Sequence, residues 1–162
     1  MVMKGIYLLL GSNLGDSLQQ LKKAQEFIQL QIGSICAQSS IYKTKPWGVE
    51  QQADFLNQVL EVDSEYSAEE ILEKINEIEL KLGRIRFQKW HARAIDIDIL
   101  YFADHIISSE KLKIPHPENQ NRNFVLVPMA EIAPDFIHPI LGISQLALLL
   151  CCKDQLAVEI LT

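Results

Sequence analysis

The chain has few of the features that mark secreted, membrane-bound or disulfide-stabilised proteins. Only three of its 162 residues are cysteine, and no pair of them has metal-ligand spacing. This argues against a disulfide framework and indicates free thiols in a reducing cytoplasm. No apolar run is long enough to cross a bilayer, and the short run after Met1 lacks the cleavage site of a signal peptide. We therefore expect a cytoplasmic protein with no membrane partner.

Positive charge is also scarce. The formal net charge is −6 at pH 7, so the chain has no general footprint for duplex nucleic acid, and we expect no nucleic-acid partner. What remains is an ordinary globular composition, with 48% hydrophobic and 22% charged residues. The length fits one domain with a sizeable core. We expect a single domain over residues 1–162, and a monomer.

The most informative stretch is a strand that begins with two carboxylates. Residues 95–102 alternate with a period of two, which places Asp96 and Asp98 on one face, about 7 Å apart. The same alternation predicts that Leu100 and Phe102 continue that face. Two neighbouring carboxylates repel each other unless a cation lies between them, and Mg²⁺ typically binds one or two carboxylates together with substrate phosphates. The alternative is an amphipathic strand whose polar residues happen to be Asp, although Asp is depleted in strands.

Arginine is rare in the chain and is concentrated near this pair. Three arginines lie shortly before the pair and the fourth follows His116 closely: Arg84, Arg86, Arg93 and Arg122. Arginine is suited to a bidentate grip on phosphate. The pattern indicates a polyphosphate held between metal ions and guanidinium groups, which is the general layout for phosphoryl transfer. The alternative is a set of structural ion pairs between these arginines and the two Asp residues.

The order of strand and helix signals predicts the fold class. Strands are expected over residues 4–10, 35–43, 55–62 and 95–102. One helix is expected after an N-cap at Asp16, and a second after the capping box that begins at Ser67. We expect a third helix over 123–132 that Pro128 interrupts early, and a buried helix over 143–150. This order predicts an α+β, ferredoxin-like three-layer sandwich with a mainly antiparallel sheet flanked by helices.

Aromatic residues add a second theme. Four of them lie near the segments already singled out: Trp47, Phe55, Trp90 and Phe124. A planar heterocycle could stack between two of these rings, although each ring by itself is more often part of a core. Asn57 points the same way as Phe55 on the third predicted strand. Its amide could therefore hydrogen-bond to the edge of such a heterocycle.

Several motifs occur along the chain in the order and spacing of one known family. They are Gly11-Ser12-Asn13-Leu14-Gly15, Thr44-x-Pro46-x-Gly48, Asp54-Phe55-Leu56-Asn57, Glu79 with Gly83-Arg84-x-Arg86, Trp90-x-x-Arg93-x-Ile95-Asp96-Ile97-Asp98-Ile99, and Pro115-His116-Pro117 through Arg122-x-Phe124, Pro128 and Glu131-Ile132-Ala133-Pro134. Together they closely resemble the 6-hydroxymethyl-7,8-dihydropterin pyrophosphokinase family of folate biosynthesis.

The resemblance implies transfer of pyrophosphate from ATP to the hydroxymethyl group of 6-hydroxymethyl-7,8-dihydropterin, with release of AMP. It implies that Asp96 and Asp98 bind two Mg²⁺ ions that bridge the ATP phosphates. Arg84 and Arg93 would be catalytic residues that neutralise those phosphates during transfer. The implied nucleotide-binding residues are Glu79, Arg86, Trp90, Ile99, His116 and Arg122. The implied pterin-binding residues are Thr44, Pro46, Trp47, Phe55, Asn57 and Phe124.

One departure from the family pattern lies between Trp90 and Arg93. The family usually has Gly-Pro at this place, whereas this chain has His91-Ala92. Gly and Pro restrict a loop in opposite ways, so the change bears on how Trp90 and Arg93 would close over the site. It does not touch the predicted metal ligands.

Two other classes of function stay open on the residues alone. A ferredoxin-like nucleic-acid-binding module would carry aromatic residues on its sheet face amid basic charge, whereas this chain is acidic. A different metal-dependent nucleotide transferase could use the same Asp pair to transfer the nucleotidyl half of ATP. Release of AMP marks pyrophosphoryl transfer, and release of pyrophosphate marks nucleotidyl transfer.

Overall fold

The main element of the structure is a six-stranded sheet. The computed structural model describes residues 1–46, 53–83 and 94–162. The strands of this sheet are β1 (Met3–Ser12), β2 (Ser34–Gln38), β3 (Tyr42–Thr44), β4 (Phe55–Ser64), β5 (Asp96–Phe102) and β8 (Val158–Ile160). Their order is β5-β1-β4-β3-β8, with β2 also pairing with β4, and these neighbours pair antiparallel. A separate small sheet joins β6 (Ile107–Ser108) to β7 (Lys113–Ile114).

Helices lie on both faces of the large sheet. They are α1 (Ser17–Gln31), α2 (Ala68–Lys81), α3 (Asn123–Ile132) and α4 (Gln145–Cys151), and a short 3₁₀ helix covers Asn119–Asn121. Helices α1 and α2 pack on one face, α3 packs on the other, and α4 packs on α3. The predicted α+β sandwich with a mainly antiparallel sheet is confirmed. No helix within the described ranges is both long enough and apolar enough to span a bilayer.

The helix starts follow the predicted capping signals. The Asp16 side chain accepts a hydrogen bond from the backbone N–H of Gln19 at 3.1 Å and begins α1. Ser67 and Glu70 form the reciprocal capping box of α2, with each side chain accepting from the other residue's backbone N–H. Such caps satisfy amide groups that have no partner within the helix, and each contributes about 1 kcal/mol.

Strand alternation divides the apolar residues between two clusters. On β1, Ile6, Leu8 and Leu10 face α1 and α2, whereas Tyr7 and Leu9 face α3. On β4, Leu60 and Val62 belong to the first cluster and Val59 belongs to the second. A one-residue shift of a strand would exchange these two sets, so burial of both faces fixes the register of β1 and β4.

A β-bulge in β5 corrects one sequence prediction. Leu8 pairs with Ile99, but the preceding Tyr7 pairs with Tyr101, so Leu100 is an extra residue. Beyond a bulge the two faces of a strand exchange. Leu100 still shares the face of Asp96 and Asp98, as predicted. The prediction that Phe102 shares it is wrong, because Phe102 is buried in the first cluster.

Four further features differ from the sequence prediction. The strand expected over 35–43 is divided into β2 and β3, and the short β8 was not predicted. Helix α3 continues through Pro128 rather than being interrupted there. The helix expected to be buried over 143–150 exposes one side, since Leu146 is 45% exposed and Leu150 is 78% exposed. It packs mainly on α3 instead of lying inside the core.

The close approach of Gly33 to β4 gives a stability prediction. A Cβ at Gly33 would lie 2.0 Å from the carbonyl oxygen of Asp63, which is backbone and cannot turn away. We expect Gly33→Ala to lower the free energy of unfolding by more than about 2 kcal/mol, measured by chemical denaturation. The matched control is Gly11→Ala, whose Cβ would first meet a side-chain atom at 3.2 Å. Equal stability of the two variants would contradict this packing account.

Candidate active site

Strands β4 and β5 each place a polar residue beside the same residue of the strand between them, β1. Gly11 of β1 pairs with Asn57 of β4 on one side and with Asp96 of β5 on the other. Residues directly opposite each other in an antiparallel sheet share a face. Gly11 lies two residues beyond Leu9, which faces α3, so Asn57 and Asp96 lie on the α3 side of the sheet.

The two carboxylates stand at the beginning of β5, which is an edge strand. Asp96 and Asp98 are both half-buried, and Asp98 pairs with Leu9 on the same face. Between them, the backbone N–H of Ile97 donates to Oε2 of Glu79 at 3.0 Å. Glu79 belongs to α2 and is only 3% exposed. This buried bond ties the backbone between the two carboxylates to a helix on the opposite face.

The bulge at Leu100 anchors the segment that carries His116. The carbonyl oxygen of Leu100 accepts hydrogen bonds from the His116 backbone N–H at 3.0 Å and from Nδ2 of Asn119 at 2.9 Å. Asn119 is fully buried. The bulge that breaks the alternation of β5 therefore also holds the segment of His116 beside the strand.

The surroundings of His116 favour its neutral form. Burial and the guanidinium of Arg122 hold the pKa of His116 below its usual value, against the opposing effect of the carboxylates of Glu118 and Asp96. Nδ1 accepts a hydrogen bond from the Glu118 backbone N–H at 3.1 Å. The proton of the neutral ring is therefore on Nε2, where the ring can donate to a ligand.

Helix α3 brings an arginine and an aromatic ring to the same face. The guanidinium carbon of Arg122 lies 5.5 Å from the ring centroid of Phe124. Phe124 packs against the second cluster of buried residues. The start of this helix is fixed by Asn123, whose backbone N–H and side-chain amide donate to Asp154 at 2.9 and 2.7 Å.

The amide of Asn57 has a defined orientation. Its Nδ2 donates to Oγ1 of Thr44 at 2.8 Å, and both side chains are buried. The amide oxygen consequently faces Gly11 and lies where it can accept from a ring N–H or amino group. Phe55 is on the same face of β4, half-buried, and pairs with Thr44.

Two residues at the end of β1 position the starts of both neighbouring strands. The hydroxyl of Ser12 donates to the carbonyl of Ala94 at 2.6 Å, just ahead of β5. The amide of Asn13 donates to the carbonyl of Ala53 at 3.1 Å, just ahead of β4. From the sequence, Ser12 and Asn13 stand out only as part of a longer motif. The feature that could have identified them individually is a pair of polar residues at the end of an otherwise apolar strand.

A carboxylate on the other end of α3 joins that helix to β3. Glu131 accepts from the backbone N–H of Ser40 at 2.9 Å, from the Ser40 hydroxyl at 2.7 Å and from the Tyr42 hydroxyl at 2.8 Å. Burial alone would raise the pKa of Glu131, but these hydrogen bonds outweigh it and hold the pKa below its usual value. Burial and Glu131 in turn raise the pKa of Tyr42 to about 12.

The structure brings many of the predicted site residues to this face and leaves others outside the described ranges. On the α3 side lie Thr44, Phe55, Asn57, Asp96, Asp98 and Phe124, with His116 and Arg122 alongside. Outside the described residues lie Trp47, Arg84, Arg86, Trp90 and Arg93. Pro46 follows β3 and is half-buried. Ile99 is buried in the first cluster, so only its backbone could meet a ligand. These role assignments stay predictions.

The donor set of this face suits a hard cation that also binds a substrate. Within the described ranges no group of three or more His, Cys, Asp or Glu side chains could hold a metal ion by itself. Two half-buried carboxylates, Asp96 and Asp98, share a face instead. Mg²⁺ commonly takes one or two carboxylates and completes its shell with phosphate oxygens and water. The residues therefore fit Mg²⁺ held jointly with a polyphosphate.

Comparison with known proteins defines the family. The 7,8-dihydro-6-hydroxymethylpterin-pyrophosphokinase family matches residues 7–134. The 2-amino-4-hydroxy-6-hydroxymethyldihydropteridine pyrophosphokinase of Aquifex aeolicus is 43% identical over 140 residues, covering 85% of this chain and 86% of the relative. The Haemophilus influenzae relative is 41% identical over 134 residues, covering 82% and 84%. The chain belongs to the 7,8-dihydro-6-hydroxymethylpterin-pyrophosphokinase family.

Solved structures support the fold at low sequence identity. Wild-type HPPK-DHPS from Plasmodium falciparum, solved with pteroate, aligns with a TM-score of 0.76 at 16% identity. The alignment covers 91% of this chain and 44% of that one, so this chain spans less than half of the length of that protein. Likeness at this identity shows a shared fold and leaves function to the sequence relatives and the site.

The Glu131 contacts give a pH-dependent prediction. We expect Glu131→Gln to lower the free energy of unfolding at pH 7 by about 1 kcal/mol, a modest value because Glu131 is exposed. A carboxylate with a lowered folded pKa stabilises above its usual pKa and loses that effect as pH falls. The difference from wild type should therefore shrink below about pH 4.5.

Thermal unfolding of wild type and variant at neutral and acid pH measures this difference. Glu110→Gln is the matched control, since Glu110 is exposed and its substitution should change stability little at either pH. A Glu131→Gln deficit that is as large in acid as at pH 7 would rule out the charged form of Glu131 as its source.

Proposed function

We propose that this chain transfers the pyrophosphoryl group of ATP to the hydroxymethyl group of 6-hydroxymethyl-7,8-dihydropterin, releasing AMP, as a step of folate biosynthesis. Family membership supports the reaction. One structural observation supports the site: the Asn57 amide and the carboxylate of Asp96, the first of the pair, lie on one face of the sheet and pair with the same residue, Gly11. The two substrates would meet between them.

The acceptor side is proposed around Asn57. Its amide oxygen would accept from an N–H or amino group of the pterin, and Thr44 holds that amide in place. Phe55 and Phe124 lie on the same side of the sheet and would enclose the flat ring between them. Pro46 and Trp47 belong to the same proposed set. A buried polar group left without its partner is costly, so the amide would select a ring that offers a matching edge.

The nucleotide side is proposed around the carboxylate pair. Asp96 and Asp98 would hold two Mg²⁺ ions, which neutralise and align the ATP phosphates when bound. His116, neutral and with its proton on Nε2, would donate to the nucleotide, and Arg122 would add positive charge beside it. Further nucleotide contacts are proposed for Glu79, Arg86, Trp90 and Ile99. Arg84 and Arg93 are proposed to neutralise charge during transfer.

The reaction needs no covalent enzyme intermediate. The pterin hydroxyl oxygen attacks the β-phosphorus of ATP and forms a new P–O bond, while the bond from the β-phosphorus to the oxygen shared with the α-phosphorus breaks. AMP departs with that oxygen, and the hydroxyl proton is released. The contribution of the chain is to align the two reactants and to exclude water that would otherwise hydrolyse ATP.

Product analysis tests the proposed reaction. The chain is incubated with ATP, MgCl₂ and 6-hydroxymethyl-7,8-dihydropterin, and nucleotides and pterins are separated by chromatography. We expect AMP whose formation depends on the pterin, together with a diphosphorylated pterin. Release of pyrophosphate with a nucleotidylated pterin would replace the proposal with nucleotidyl transfer. Absence of both products from a folded sample would contradict it.

The carboxylate pair gives a mutational prediction. We expect Asp96→Asn to lower kcat by about 10²-fold or more, because the amide keeps the shape of the side chain and removes the charge that faces the metal. Asp104→Asn is the matched control, since Asp104 is an exposed Asp that follows the same strand. Thermal unfolding of both variants should stay near wild type. Near-normal turnover of Asp96→Asn would remove Asp96 from the proposed metal site.

A further inference from the structure

Helix α3 begins without a capping side chain of its own. The other three α-helices start at Asp16, Ser67 and Ser144, and each of these side chains accepts a hydrogen bond from a backbone N–H of the first turn. At α3 the N-cap position is occupied by Arg122, whose side chain makes no such bond. A guanidinium has only donors, so it cannot accept from the helix. A cap for α3 has to come from another part of the chain.

Asp154 supplies that cap from 31 residues away. Its Oδ2 accepts from the backbone N–H of Asn123 at 2.9 Å, and its backbone carbonyl accepts from Nδ2 of the same residue at 2.7 Å. Its other carboxylate oxygen, Oδ1, accepts from the backbone N–H of Leu156 at 2.9 Å. Both carboxylate oxygens are therefore engaged, which fixes the orientation of the group. Negative charge at this end of a helix is also favoured by the helix dipole.

The segment that carries Asp154 also reaches the strand β3. We name residues 152–161 the strap. In its β8 part, Val158 pairs with Thr44, and the backbone N–H of Leu161 donates to the carbonyl of Ile41 at 2.8 Å. The strap lies beyond residues 7–134, which are the part of the chain that matches the family. Its effect on the site is therefore not covered by family membership.

The residue that Asp154 holds is the immediate neighbour of a proposed site residue. Asn123 precedes Phe124, whose half-buried ring is one of the two proposed to enclose the pterin. The far end of α3 has a separate attachment, because Glu131 accepts from Ser40 and Tyr42. Loss of the Asp154 bonds would consequently loosen the first turn of α3, with Phe124 in it, while the rest of the helix stays on the sheet.

We propose that Asp154 is a positioning residue for the acceptor: it caps α3 from the strap and thereby sets where the ring of Phe124 stands against the pterin. This inference rests on the proposed function and adds a residue that does not itself touch the substrate. Asp154 acts through the backbone of Asn123. The strap thus contributes to acceptor binding from a part of the chain that follows the family match.

Asp154→Asn tests the proposal in steady-state kinetics. An amide has one acceptor oxygen and one NH₂ group, so it can satisfy only one of the two backbone N–H groups that Asp154 serves. We expect the KM for the pterin to rise about fivefold or more, while kcat and the KM for ATP stay within about twofold. The matched control is Asp135→Asn, an exposed Asp just beyond the other end of α3, which should leave all three constants unchanged.

The outcomes separate this inference from the proposed function. All rates are measured well below the unfolding midpoint of each variant, so that a loss of stability alone does not alter the KM. An unchanged pterin KM in Asp154→Asn would overturn the inference. Absence of any pterin-dependent AMP from wild type would instead defeat the proposed function.

A double-mutant cycle tests whether Asp154 acts through Phe124. The pterin KM is compared for Asp154→Asn, Phe124→Ala and the double variant. If the role of Asp154 is to place the Phe124 ring, Asp154→Asn should have little further effect once that ring is gone. An equal rise in the pterin KM in both backgrounds would show that the strap acts by another route and would overturn the inference.

A measurement on the unaltered chain keeps the proposal testable should Asp154→Asn fail to fold. Hydrogen exchange of the Asn123 backbone amide is followed by NMR, with and without the pterin and a non-hydrolysable ATP analogue. We expect slower exchange in the complex, because a ring seated against Phe124 and the Asp154 cap stabilise the same turn. The Glu70 amide, which Ser67 caps on α2, is the control and should not change. Exchange at Asn123 that is unaffected by binding would overturn the inference.

Discussion

The site depends on the register of β1 against its two neighbours. Because β1 lies between β4 and β5, one residue of it, Gly11, decides which residues of those strands stand opposite each other. A slip of one position would turn Asn57 or Asp96 to the wrong face. Burial of apolar residues on both faces of β1 makes such a slip costly. The same hydrophobic packing that stabilises the sheet therefore aligns an amide with a carboxylate.

Short polar residues then fix the pieces that the register brings together. Ser12 holds the entry to β5, and Glu79 holds the backbone between Asp96 and Asp98. The carbonyl exposed by the bulge at Leu100 holds the segment of His116. Each such bond contributes about 1 kcal/mol to stability, which is modest. Their larger effect is on geometry, because a transfer reaction between two bound substrates is sensitive to small displacements of either one.

The sequence predicted the layers of the fold, and which candidate residues share a strand face, better than it predicted the connections between elements. Period-two alternation correctly placed Asp96 beside Asp98 and Asn57 beside Phe55. It failed for Phe102, since nothing in the local pattern reveals a bulge that depends on the pairing partner. Long-range bonds such as Glu79 to Ile97 were also out of reach, because they depend on how a helix meets an edge strand.

The proposed placement of both substrates on the α3 side of the sheet is tested most directly by a crystal structure of the ternary complex. The complex would contain Mg²⁺, α,β-methylene ATP and 6-hydroxymethyl-7,8-dihydropterin. We predict the pterin ring between Phe55 and Phe124, its edge hydrogen-bonded to Asn57, and its hydroxymethyl oxygen towards Asp96 and the β-phosphorus. A pterin bound away from Asn57 and Asp96, or one with its hydroxymethyl group towards Asn57, would contradict the account.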